Sequence, residues 1–311
     1  MSDGIPKIPS RRNQDPAHVM NLPSLNMGYE PCSKKDITIV DLDIQVYGLD
    51  EIQGSTKPVV AILIAHGWAN NAAQMANMSH GLIGSIRSRG PAPRDVIVVT
   101  VDQRNHGPRK TKKDTLSYNK NPWRLVAMTA TLTGGMQDQQ LIMDYLEDYA
   151  FPMGGRKIVE FMVTGVSLGG HVVWRLMQSD PRVRVAVPII AVPADALGRV
   201  HTARFRAEGV LGTDKMYYPA RTRAFYEDHK GPQPYRGKKI LALCGGVDEV
   251  IPPRLGMDEW NDVVNLLGKE NAQMVVQDNA GHICTPEMVG HAAEWFYKWG
   301  VNVQDADKAR L

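Results

Sequence analysis

KIVEFMVTGVSLGGHVVWRLM, residues 157–177, is the stretch on which the fold turns. Its opening, Lys157 to Val163, is dense in β-branched and aromatic side chains and reads as a strand. From Gly169 to Met177 the apolar residues recur three and four apart, which is the period of a helix. Between the two, Gly165-Val166-Ser167-Leu168-Gly169 has the form G-x-S-x-G. As a bare pattern this is also an ordinary small-residue turn. A strand that turns sharply into a helix at a serine is a narrower setting: it lifts the hydroxyl above the sheet edge and needs small neighbours where the two backbones pass.

Outward from this stretch, continuous apolar runs repeat along the chain: Val59–Ala65, Val96–Val101, Ile158–Val163, Val183–Val192, Ile240–Leu243 and Met274–Val276. Short runs without alternation predict strands covered on both faces, as in a parallel sheet. Helical periodicity separates several of them. Leu141, Ile142, Tyr145, Leu146 and Tyr149 fall on one stripe of 138–149, and Pro286–Trp299 repeats the pattern. The expectation is an α/β fold, a doubly wound, mostly parallel sheet, with ligands bound at the strand C-termini. Ile37 to Tyr47 alternates, Leu42, Ile44 and Val46 against Asp41, Asp43 and Gln45, and reads as one half-exposed strand at a sheet edge. Residues 1–35 read as a polar surface arm and 36–311 as the domain. Residues 194–236, a long connection rich in aromatic and basic residues, read as a cap-like insertion, the alternative being an excursion that never meets substrate.

Composition narrows the classes. The chain has 311 residues, 43% hydrophobic and 22% charged, so one soluble globular domain with a large core is the expectation. A net charge of +3 and no basic stripe argue against nucleic-acid binding. Arg109, Lys110, Lys112 and Lys113 read as a solvated loop, or else as a site for acidic substrate groups. Three cysteines, Cys32, Cys244 and Cys284, form no C-x-x-C pair and suggest neither a disulfide scaffold nor a zinc site. No apolar leader and no long apolar run is present, so the expected location is cytoplasmic, without membrane insertion.

Chemistry at Ser167 requires a base within hydrogen-bond reach, an acid to orient the base, and backbone donors for an oxyanion. His282 follows a strand run and a loop and precedes the last helix, which sets it at the sheet's C-terminal edge. His66 and His106 stand before glycines in turns suited to shaping backbone, and His171 and His291 fall inside helices. Asp248 follows an apolar run and Gly245-Gly246, with Glu249 and Asp195 as competitors. The order Ser167, Asp248, His282 is the one expected of this fold. The N–H groups of Leu168 and Trp68 are the candidate oxyanion donors, and Asn70 and Asn71 fit a helix cap.

Taken with "AHGW" (65–68) and "DQRNHG" (102–107), these residues resemble the α/β-hydrolase superfamily, and "GVSLGGH" resembles the elbow of its serine esterase branch. The resemblance spans about residues 36 to 300. It implies a serine hydrolase with no cofactor, acting on a small or medium carboxylic ester through a Ser-His-Asp triad; the alternatives are a thioesterase, amidase or acyltransferase, or a non-catalytic protein that binds a ligand or partner. Tyr217, Tyr218, Phe225 and Tyr226 are the candidate substrate contacts.

Overall fold

The computed structural model describes residues 23–111, 121–207 and 217–303. Lys112, Lys113 and the side chain of Phe205 lie outside the described residues.

Eight strands form one sheet: β1 (Lys34–Ile39), β2 (Leu42–Tyr47), β3 (Val59–Ala65), β4 (Asp95–Val101), β5 (Ile158–Val166), β6 (Val183–Ile189), β7 (Lys239–Gly245) and β8 (Ala272–Gln277). Their spatial order is β1-β2-β4-β3-β5-β6-β7-β8. β2 is antiparallel to both neighbours and every other pairing is parallel, so β2 alone runs against the rest. The helices are α1 (Ala76–Ser88), α2 (Arg124–Ala150), α3 (Leu168–Ser179), α4 (Leu197–Ala207), α5 (Ala220–Glu227), α6 (Met257–Leu267) and α7 (Pro286–Phe296).

The unbroken apolar strands follow from helices on both faces of the sheet. Val59, Ala61 and Leu63 pack with Ile142 and Leu146 of α2, Val173 and Trp174 of α3, and Trp260 and Val263 of α6. Val60, Ile62 and Ile64 pack with Leu82 and Ile86 of α1 and Val289 and Phe296 of α7. Side chains alternate between faces along a strand, so a strand buried twice cannot contain a polar residue at every second position.

Three details depart from the sequence reading. The region 37–47 is a hairpin, β1 and β2 joined at Val40-Asp41, with β1 as the edge. Val40 adopts φ 60° and is 78% exposed, an unusual turn position for a β-branched residue, and nothing in the local sequence announced it. Tyr145 and Tyr149 are exposed; the buried stripe of α2 runs instead through Leu132, Gly135, Asp138, Ile142 and Leu146. Asp138 tolerates that position because Arg104 and Arg109 both bind its carboxylate. Within 1–35, the turn Pro23–Asn26 packs on α1 and α7 and Leu25 is fully buried.

The segment after β6 contains α4 and α5, with α5 against α2 and α4 against the turn Pro253–Gly256 that follows β7. Both helices therefore stand at the end of the sheet where β5 and β7 terminate.

Candidate active site

Ser167 is the single residue between β5 and α3, and its backbone sits at φ 56°, ψ −111°. A non-glycine residue held there stores about 1–3 kcal/mol of strain, sustained only if the surroundings fix it. They do. The Ser167 N–H donates to the Ile189 carbonyl at 2.9 Å, and the His171 N–H donates to the Ser167 carbonyl at 3.1 Å. The glycines are required by close approach: a Cβ on Gly165 would stand 2.5 Å from the Gly169 carbonyl group, and one on Gly169 would strike the Ala65 carbonyl oxygen. The helix can thus start directly above β3 and β5.

Asp248 lies just past the end of β7 and its side chain is fully buried. One carboxylate oxygen, Oδ1, accepts the N–H groups of Val250 and Ile251 at 2.8 and 2.9 Å, which aims the other at His282. Gly245 lets the acid-bearing loop lie against the histidine loop, since a Cβ there would meet the Ala280 carbonyl oxygen at 2.5 Å. The Val247 N–H donates to the same carbonyl at 3.1 Å. His282 precedes α7, whose N-cap Thr285 accepts the Met288 N–H and itself donates to Gln277 Oε1 at 2.7 Å.

These loops bring three side chains into one line. His282 Nδ1 is 2.8 Å from Asp248 Oδ2, and His282 Nε2 is 2.8 Å from Ser167 Oγ. A carboxylate only accepts, so the Nδ1 proton faces Asp248 and Nε2 is free to accept the serine hydroxyl. The competitors sit elsewhere. Glu249 is exposed. Asp195 accepts from Gln178 Nε2 at 3.0 Å and from the Gly231 N–H at 2.8 Å.

The loop after β3 is shaped by His66. Gln103 N–H donates to its Nε2 at 2.9 Å, which places the ring proton on Nδ1, facing the Gly67 carbonyl at 2.8 Å. Burial, then repulsion from the His106 ring when both would be charged, pushes its pKa down to about 3. The ring is a fixed neutral strut under Gly67 and Trp68. Asn71 caps the short helical turn Ala72–Met75 reciprocally with Gln74, and Asn70 binds the Gln74 side chain at 3.0 Å. The Leu168 N–H lies in the first turn of α3, where no intrahelical acceptor exists.

A small cavity of about 30 Å³ opens beside Ser167. Trp68 and Leu168 line it, as do His171 of α3, Met128 and Leu132 of α2, and Leu197, His201, Val250 and Ile251. None of the four candidate aromatics does. Tyr218 and Tyr226 border a second cavity, of about 370 Å³, on the side of α4 that carries Gly198 and Thr202. Tyr226 is buried and donates to the Leu125 carbonyl at 3.3 Å; Phe225 covers the Arg175 guanidinium at 4.0 Å; Tyr217 meets Trp123 edge-on at 5.2 Å. Of the basic cluster, Arg109 is committed to Asp138. The pocket residues missed in the sequence come from separated elements. His171 alone had a local signal, since four residues along a helix from Ser167 is one turn on the same face.

The strand order, the lone reversed strand, and a serine turn between β5 and α3 define an α/β-hydrolase fold. Solved structures share it. The chain superposes on the Thermus thermophilus protein TT1662 with TM-score 0.64 at 17% identity, over 87% of this chain and 98% of that one. It matches the Pyrococcus furiosus esterase Pf2001 with TM-score 0.53 at 17% identity, over 90% and 95%. The acylaminoacyl peptidase of Pyrococcus horikoshii matches with TM-score 0.56 at 13% identity, over 89% of this chain but 42% of that one. No family model and no curated protein matches the sequence. Among the described residues, no helix is long and apolar enough to cross a membrane.

Proposed function

We propose that the protein is a serine hydrolase that cleaves a small carboxylic ester, with Ser167 as nucleophile, His282 as general base and Asp248 as its orienting acid. The observation that carries this reading is the line of two 2.8 Å contacts ending on a strained serine at the C-terminal edge of the sheet. Ser167 Oγ attacks the ester carbonyl while His282 Nε2 takes its proton. The tetrahedral oxyanion is held by the N–H groups of Leu168 and Trp68. Collapse breaks the carbonyl–alkoxy bond, His282 returns the proton to the leaving alcohol, and the acyl group remains on Ser167. Water then attacks the acyl-enzyme and gives a proton to His282; collapse breaks the acyl–Oγ bond, His282 returns the proton to Ser167 Oγ, and the carboxylic acid leaves. The esterases among the similar folds support an ester as the bond broken. A fluorophosphonate probe tests the reading directly: stoichiometric labelling at Ser167 is expected. Absence of labelling in folded protein, or hydrolysis of p-nitrophenyl esters retained above a few per cent in Ser167→Ala, overturns it.

A further inference from the structure

His171 is a buried polar group without a partner. Its side chain is 4% exposed, it lines the cavity beside Ser167, and neither ring nitrogen makes a hydrogen bond. The Val192 carbonyl lies near the ring but outside hydrogen-bonding geometry. Burial, with the Arg175 charge second, drives its pKa down to about 3, so the ring is neutral at ordinary pH and carries one donor and one acceptor. Leaving such a group unsatisfied in an apolar wall is costly. Met128, Leu132, Leu197, Val250 and Ile251 make most of the wall apolar, with Ser167 and His201 its other polar side chains. Across the cavity His201 rests edge-on against Tyr226 at 5.0 Å, which ties it to α5.

We infer that His171 determines specificity by holding a hydroxyl on the acyl chain, and that the substrate is an ester of a short hydroxy acid. This rests on the serine hydrolase reading. A hydroxyl both donates and accepts, so it satisfies the imidazole in either tautomer, as a keto oxygen does not. The cavity of about 30 Å³ has room for roughly two water-sized groups, enough for a short substituted chain. The acyl side is favoured over the alcohol side by the order of events. The alcohol must depart before water enters, so it needs the open mouth, whereas the acyl group stays bonded to Ser167 against the cavity floor.

The test compares isosteric pairs in which a hydroxyl replaces a methyl: methyl lactate against methyl isobutyrate, and methyl β-hydroxybutyrate against methyl isovalerate. Their kcat/KM ratios are measured for wild type, His171→Leu and His171→Gln, and a separate sample of each is treated with the fluorophosphonate probe to count active sites. In at least one pair, His171→Leu is expected to lower the hydroxy-to-methyl ratio at least about tenfold, while His171→Gln, which keeps a donor and an acceptor, retains most of it. The melting temperature of His171→Leu should hold or rise, because an unpaired ring is replaced by an apolar group of similar size. Ratios unchanged within twofold in both pairs overturn the inference, as does a fall in melting temperature with unchanged ratios. A hydroxyl effect seen only on the alcohol side, with hydroxyethyl acetate against propyl acetate, overturns it too. Protein that labels in the separate sample, yet turns over the esters with unchanged ratios, sinks this inference alone. Unlabelled wild type sinks the serine hydrolase reading and the inference with it.

Discussion

Asp248 and His282 are fastened to each other twice, through the 2.8 Å contact of their side chains and through the 3.1 Å backbone bond from Val247 to Ala280 beside them. The second link holds the two loops together whatever the side chains do. Asp248→Asn should therefore leave the loops in place and put an amide where a carboxylate belongs, favouring the wrong tautomer of His282. A loss of about 10³–10⁴ in kcat is expected, by analogy with triads of known mechanism. Glu249→Gln should change kcat less than about twofold, and Asp195→Asn should lower the melting temperature instead, since its carboxylate ties α3 to the loop at Gly231. Steady-state kinetics and thermal melts on the three variants check the assignment; a larger kinetic loss for Glu249→Gln than for Asp248→Asn refutes it.

Gly169→Ala should destabilise the protein by about 3 kcal/mol and remove activity, because the added methyl meets the Ala65 carbonyl and neither backbone can yield. Denaturant melts give the first quantity and ester turnover the second. A stable, active Gly169→Ala protein would mean that β3 and α3 do not pass this closely.

Three buried histidines set an acid limit on stability. Burial is the leading cause in each: His66 and His171 are pushed down to about 3 and His106 to about 4. The unfolded chain protonates them near 6.5, so it binds more protons than the folded state below that pH. Their stabilising contribution is complete above about pH 6.5 and is lost as the pH falls toward 3–4. Between pH 7 and pH 5 the loss should be about 2 kcal/mol per histidine. Melting at pH 7, 6 and 5 measures it, and His171→Leu should remove about a third of the three-histidine loss.

Tyr226 and Phe225 pack against α2 and α3, so Tyr226→Ala and Phe225→Ala are expected to lower the melting temperature and leave the ratio of long to short ester unchanged. Tyr218 faces the larger cavity, and Tyr218→Ala should shift that ratio about tenfold if the cavity accepts an ester chain. Measuring both quantities on the same variants decides which aromatics meet substrate. An unchanged ratio throughout removes the segment from the binding site.

The sheet was legible in the sequence because burial on both faces leaves a run such as Val59–Ala65 with no polar residue at all. Ser167, Asp248 and His282 were legible for a related reason. Each stands just past a recognisable apolar strand, and strand ends converge in this fold. The Val40-Asp41 turn was not, since a β-branched residue such as Val40 disfavours the φ it adopts. Nor was the buried stripe of α2, where Asp138 depends on Arg104 and Arg109 arriving from another loop. The walls of the Ser167 cavity were hidden in the same way: Leu132, Leu197 and Val250 become neighbours only when the chain has folded.

The division of the strands into two faces carries a consequence for how the molecule absorbs change. Leu63 and Ile64 are joined by a peptide bond, yet one belongs to the layer shared with Trp174 and the other to the layer shared with Phe296. Distance along the chain is therefore a poor guide to which substitutions will compensate each other. An enlarged side chain at Leu63 can be relieved by trimming α3, more than a hundred positions away, and hardly at all by its next-door neighbour. The protein accordingly has two interiors that can drift separately, divided by one layer of backbone.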